Sequence, residues 1–147
     1  MRSLYDKRSF RSFESVGAYI GRVRKALIEK LDQELVALGL NTAQSLVIVV
    51  LAEHIASTAS EMCRVLSHDP GAMTRLVDKL ELKRLVRRVR TGDDRRSAQL
   101  ALTARGRALY PRIAEMQVNV FNRMLQGFNR GEVGELEGFL KRMLANA

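Results

Sequence analysis

Two helix-start signals stand eleven positions apart near the middle of this chain, and their spacing constrains the fold more than any other feature. Thr58-Ala59-Ser60-Glu61 is a capping box, with a hydroxyl and a carboxylate placed to satisfy the free amides of a first turn. Asp69-Pro70 is a second start, with Asp as N-cap and Pro at the first helical position, where its missing N–H costs nothing. The first helix must therefore be short, Ala59 to Leu66, and Ser67-His68 leaves room only for a tight turn. The second runs to about Leu82, with Met73, Leu76, Val77 and Leu80 facing inward. Two short helices joined in this way form a helix-turn-helix.

Beyond Leu82 the pattern changes from helical to extended. Leu85–Thr91 and Ser97–Leu102 read as short strands, and in the second Ala98, Leu100 and Leu102 alternate with Gln99 and Ala101. Gly92-Asp93-Asp94-Arg95-Arg96 between them is a charged turn. A hairpin directly after a helix-turn-helix makes a winged unit, spanning about 41–102.

Long amphipathic helices flank that unit. Phe13, Val16, Ile20, Val23, Leu27, Leu31, Leu35 and Leu38 recur at three- and four-residue spacing, ending at Gly39 as the C′ residue. Asn41 and Gln44 then cap a second helix reaching about His54. Its β-branched stretch Val47-Ile48-Val49-Val50 would also suit a buried strand, but the cap favours a central helix. Thr103 caps a fifth helix with Leu109, Ile113, Met116, Val120, Met124 and Phe128 on one face, and Pro111 should kink it. A last helix after Gly131 should bury Val133, Leu136, Leu140, Met143 and Leu144. The fold class is mainly α with a small β-hairpin wing, in one domain covering 1–147. The segments 13–38 and 103–145 cannot all bury their faces on so small a winged core, which points to dimerisation helices.

Charge narrows the partner. The 147 residues carry 25 Lys/Arg against 16 Asp/Glu, a net +9. Residues 61–107 hold twelve basic and six acidic groups, residues 1–24 six and two, and the remainder seven and eight. The excess is thus confined to the winged unit and the N-terminal segment, as a polyanion-binding surface requires. The longest apolar run, Leu46 to Ala52, is far short of the roughly 20 residues that span a bilayer, so no membrane partner is expected. Cys63 is alone, which excludes an intrachain disulfide and suits a cytoplasmic setting. The chain has no P-loop, no G-x-S-x-G and no dinucleotide fingerprint, and adjacent Asp93-Asp94 on a turn are not a spaced acid–base pair, so an enzyme is not expected. With His54 and His68 as the only histidines and no HExxH or CxxC spacing, no metal or cofactor is expected either.

A recognition helix presents its N-terminal side chains to base edges in the major groove. Here that end is Asp69, Pro70, Gly71, Ala72, Met73, Thr74 and Arg75. Gly71 and Ala72 are small enough for close backbone approach. Thr74 and Arg75 can donate to bases or phosphates, and Lys79, one turn on, can reach a phosphate. The hairpin tip supplies Arg95 and Arg96 for a narrow, negative minor groove, with Asp94 placed to orient a guanidinium. Arg87, Arg88 and Arg90 flank the wing as candidate phosphate contacts.

These residues carry a family resemblance. Residues 13–145 resemble the MarR family of winged-helix regulators, most strongly from Leu66-Ser67-His68-Asp69-Pro70-Gly71-Ala72-Met73-Thr74-Arg75 through Leu85-Val86-Arg87-Arg88. The family's Asp-x-Arg wing signature falls on Asp94 and Arg96, and its Leu-Thr-x-x-Gly helix opening on Leu102 to Gly106. Two positions depart: Arg84 stands where the family usually has Gly, and Ser45 where an aromatic is common. The resemblance implies a homodimeric repressor on a pseudo-palindromic, double-stranded DNA operator, released by a ligand or redox signal. It also implies a pocket for a small aromatic or phenolic effector. Tyr19, Arg22 and Met62 are candidate wall residues by location, although core packing is the stronger reading of them. Two other functions compete: redox sensing through Cys63, against which a small buried thiol is the simpler reading, and sequence-blind architectural DNA binding.

Overall fold

The computed structural model describes residues 3–90 and 98–147. A 3-10 turn, Ser12–Glu14, precedes α1, Val16–Leu35. Phe13 therefore lies outside the long helix, because Ser15 is the N-cap and its hydroxyl accepts from the Ala18 amide at 3.3 Å. Another 3-10 turn, Val36–Leu38, ends at Gly39, whose φ of +67° is the left-handed stop expected there.

Asn41 opens α2, Thr42–Ala52, through the reciprocal capping box with Gln44, which settles the helix-or-strand question. This helix is the centre of the core, with Val47, Ile48, Val50 and Leu51 buried. It stops two residues before His54, which takes a positive φ of 56°. Next come α3, Ala59–Leu66, and α4, Pro70–Leu82, with the caps and bounds expected from Thr58, Glu61 and Asp69. Strands β1, Val86–Val89, and β2, Gln99–Leu102, pair antiparallel, with Val86 opposite Leu102 and Arg88 opposite Leu100. A third contribution was not foreseen: Thr58 bridges Gln99, and Leu100 N–H donates to the Ser57 carbonyl at 2.7 Å. The segment entering α3 thus closes the far edge of the wing.

Thr103 caps α5, Ala104–Met124, which continues through Pro111. Ile113 and Val120 are fully buried, whereas Phe128 lies beyond the helix and is exposed. The last helix, α6, is Arg130–Ala145, and none of its residues is buried. Leu136, Leu140, Met143 and Leu144 were expected inside but are exposed, as are Phe13, Val16, Ile20 and Val23 at the start of the chain. The reason is geometric. Only the C-terminal half of α1 reaches the core, through Leu31 and Leu35, while α5 packs on α1 and α2. The two ends of the chain project beyond the winged unit with apolar faces uncovered. Among the described residues no single helix is long and apolar enough to cross a membrane.

Candidate nucleic-acid interface

The first turn of α4 is held by the Asp69 carboxylate, which accepts from the Ala72 amide at 2.9 Å. That bond holds the Asp69 carboxyl below its ordinary value against the opposing effect of burial, with lesser help from the Gly71 amide and the charge of Arg75. The helix is fixed from the other side by Met73, Leu76, Val77 and Leu80, all buried. Its opposite stripe, Thr74, Arg75, Asp78 and Lys79, is exposed, and so are Pro70 and Gly71, with Ala72 half-buried.

Two details refine the expected roles. The Thr74 hydroxyl donates to the Pro70 carbonyl at 2.9 Å, so its proton is committed to the helix and its lone pairs face outward. In this state Thr74 is an acceptor rather than the donor expected. Arg75 lies over Gly71: a Cβ there would be in ordinary contact with Arg75 Nη1, at 3.5 Å, and tight against Asp69 Oδ1, at 3.2 Å. The guanidinium therefore folds back over the first turn, next to the N-cap carboxylate.

Arg75 and Lys79 also line a cleft of about 200 Å³ between α4 and the N-terminus of α2, together with Asn41, Gln44 and His68. His68 Nδ1 lies 2.7 Å from the Leu66 carbonyl oxygen, which can only accept, so this nitrogen carries a proton and Nε2 is left for the cleft. The start of α2 is thus brought beside α4, a juxtaposition with no local signal in the sequence.

On the wing, Arg87 and Arg90 are exposed, consistent with the surface placement expected of them. Asp94, Arg95 and Arg96 lie outside the described residues. Arg88 departs from its expected role as a free cation. Its Nη2 is 2.7 Å from Asp78 Oδ1, its Nη1 pairs with Glu81, and its backbone N–H donates to Glu81 Oε1 at 3.1 Å. The signal was present: two carboxylates three residues apart on one helix repel each other unless a cation covers them. Arg84 is the other departure, with a φ of +57° in a position that suits glycine. Next to it Lys83 Nζ bonds the Gly39 carbonyl and lies 3.4 Å from Gln44 Oε1, tying the end of α4 to the α1–α2 connection.

The candidate effector residues are not gathered into a cavity. Met62 is fully buried in the core. Tyr19 and Arg22 are exposed on α1, with the Arg22 guanidinium 4.6 Å from the Tyr19 ring centre. A cavity of about 450 Å³ lies elsewhere, where α2, α3, β2 and α5 meet, and is lined by His54, Ile55, Glu61 and Arg107 among others. Glu61 is committed there to the Ser57 and Thr58 amides, which hold its carboxyl below the ordinary range. Cys63 is half-buried against the core, and among the described residues no cluster of His, Cys, Asp and Glu is arranged to hold a metal.

Comparison with known proteins agrees with this architecture. The model of the MarR family matches residues 38–97. The multiple antibiotic resistance protein MarR of Escherichia coli is 28% identical over 136 residues, covering 92% of this chain and 94% of that protein. The HTH-type transcriptional regulator SarZ of Staphylococcus aureus is 36% identical over 85 residues, covering 54% of this chain. That match spans only 55% of SarZ's own length. Among solved structures, the transcriptional regulator PA3341 has a TM-score of 0.80 at 32% identity, over 90% of this chain and 97% of that one. A mutant E. coli MarR complexed with operator DNA has a TM-score of 0.81 at 28% identity, over 92% and 99%.

Proposed function

The chain belongs to the MarR family of transcriptional regulators, and from that premise we propose that it is a homodimeric, sequence-specific repressor acting on a pseudo-palindromic operator. The observation that carries this reading is the exposed stripe of Thr74, Arg75 and Lys79 on a helix whose N-terminus is fixed by Asp69. A regulator needs polar groups on a rigid helix end that can enter a major groove. The resemblance to a mutant E. coli MarR solved in complex with operator DNA supports DNA as the partner. Two such helices about one helical turn apart would read two half-sites. The uncovered apolar faces at both ends of the chain support a second copy as the partner that spaces them. This role places the protein in the cytoplasm, with DNA rather than a substrate as its partner.

A small aromatic or phenolic effector is part of the proposal. Arg107 and Glu61 give the cavity between α2, α3, β2 and α5 one group of each charge beside apolar Leu51, Ile55 and Leu102, a combination suited to a small amphipathic ring compound such as a phenol. Half-burial of Cys63 against the core supports packing over redox sensing.

The test is a fluorescence-anisotropy titration at fixed salt, using the intergenic DNA beside the protein's own gene and a scrambled duplex. At least about a hundredfold preference for the first, at two subunits per site, is the result expected of a specific regulator. If no genomic duplex is preferred over the scrambled one, architectural binding replaces this reading.

A further inference from the structure

The three arginines flanking the wing look equivalent in sequence, but the structure separates them. Strand alternation turns Arg88 to the same side as buried Val86, and that side faces α4. There the last two turns of α4 present Asp78 and Glu81, and Arg88 is bonded to both, with its own backbone amide also given to Glu81.

We propose that Arg88 is a positioning residue: through Asp78 and Glu81 it fixes the tilt of the wing on the recognition helix, and it does not contact a DNA phosphate. The DNA-binding part of this statement rests on the regulator reading above; the contact between wing and helix does not.

The arrangement suits that task. A single exposed ion pair would contribute little. Here one planar guanidinium reaches two carboxylates, and a main-chain amide adds a third bond, so the geometry is fixed in more than one direction. On the solvent side the linkage adds to the core packing of Leu80, Leu85 and Val86 that joins α4 to β1 underneath. It also sits next to Val89↔Gln99, the outermost described pair of the hairpin, so a change of angle there is carried to the outer end of the described strands. Electrostatics agrees. Asp78 lies beside Lys79 and one turn after Arg75, where a bare carboxylate would repel phosphate. Arg88 offsets that charge while it is held.

The two roles give opposite signs in one experiment. Removing an acidic charge from a DNA-facing helix should by itself tighten binding to any duplex. If Arg88 positions the wing, Asp78→Asn and Glu81→Gln instead weaken operator binding relative to scrambled DNA. Arg88→Lys keeps a point charge that would serve a phosphate but cannot fork. The expected result is a fall of about tenfold in the operator-to-scrambled ratio for Glu81→Gln and for Arg88→Lys alike. Tighter operator binding by Glu81→Gln, with full retention by Arg88→Lys, would overturn the role and make Arg88 a phosphate contact. Amide exchange on the free protein tests the linkage without DNA. In Glu81→Gln the β1 amides around Arg88 should exchange faster while Leu76–Leu80 stay protected, and unchanged β1 exchange would sink the proposal. If the unaltered protein prefers no operator, the regulator reading fails and the DNA role with it, while the exchange result still decides the linkage.

Discussion

Gly106 is packed so closely on Leu85 that a Cβ there would lie 3.0 Å from the Leu85 carbonyl carbon and closer still to its oxygen. The same carbonyl accepts from the Thr103 amide at 3.1 Å, while the Thr103 hydroxyl donates to the neighbouring Arg84 carbonyl at 2.7 Å and lies 3.2 Å from the Leu85 oxygen. The start of α5 is thus seated on the residue that joins α4 to β1. This explains the Leu-Thr-x-x-Gly opening in physical terms: Thr caps the helix and reaches the carbonyl, and Gly one turn later leaves room for it. Gly106→Ala should destabilise the protein by about 1–3 kcal/mol, because the obstacle is backbone and cannot rotate away. Urea denaturation measures this, and an unchanged midpoint would show that α5 can shift freely on Leu85.

Arg84 offers the converse test. Its φ of +57° places a β-carbon in the left-handed region just past the end of α4. Glycine removes that strain but adds unfolded-state entropy, so Arg84→Gly should stabilise by about 0.5–1 kcal/mol net. A rise in the thermal midpoint with unaltered DNA affinity is expected. A fall would mean that the Arg84 side chain makes a contact outweighing its backbone cost.

The helices and their caps were legible because capping is local. Asn41 with Gln44, Thr58 with Glu61, and Asp69 before Pro70 each satisfy amides within one turn, so sequence spacing suffices. The alternation at Leu100 and Leu102 was sufficient for the wing. What was not legible depends on distant residues. Burial of α6 was expected from its periodicity, which shows that Leu136 and Leu140 share a face but not what that face meets. The pairing of Arg88 was not legible because Asp78 and Glu81 belong to another element, ten and seven residues away. The bridge from Thr58 to Gln99 likewise joins segments with no local signature in common.

The uncovered face of α6 leads to an assembly prediction. Leu136, Phe139, Leu140 and Met143 are exposed, as are Val16, Ile20 and Val23 on α1, leaving apolar surface at both chain ends. If a second copy covers it, Leu136→Lys with Leu140→Lys should give monomers in sedimentation velocity and abolish two-subunit operator binding. Helicity should be retained, because neither side chain is buried within one chain. A variant that remains dimeric would place the interface elsewhere.

Asp69 gives a pH prediction with a definite sign. Its carboxyl is lowered in the folded protein, chiefly by the Ala72 amide, from an ordinary value of 3.8. The contribution of the ionised form is therefore fully present above that value and is lost as pH falls through the lower folded value. Asp69→Asn keeps the cap acceptor but not the charge. The melting temperature of the unaltered protein should exceed that of Asp69→Asn at neutral pH, and the gap should close on the acid side of 3.8. A gap that persists there would assign the effect to side-chain geometry rather than to charge.

The last prediction concerns how Arg75 reads DNA. In the free protein its guanidinium lies back over Gly71 toward the Asp69 carboxylate, held by charge rather than by a short ion pair. It can leave that position for a guanine edge without breaking a strong bond, and Gly71 offers no side chain in its way. If Arg75 contacts a base, Arg75→Ala should weaken operator binding by about 1–3 kcal/mol and leave scrambled DNA much less affected. If it contacts phosphate alone, both duplexes should lose affinity equally and the salt slope should fall by about 0.9. Gly71→Ala tests the close approach of the helix end itself. Its methyl would crowd the Asp69 carboxylate, at 3.2 Å, and touch the resting guanidinium, at 3.5 Å, without removing the cation. Operator affinity should then fall through hindered docking of the helix end, with the salt slope on scrambled DNA unchanged.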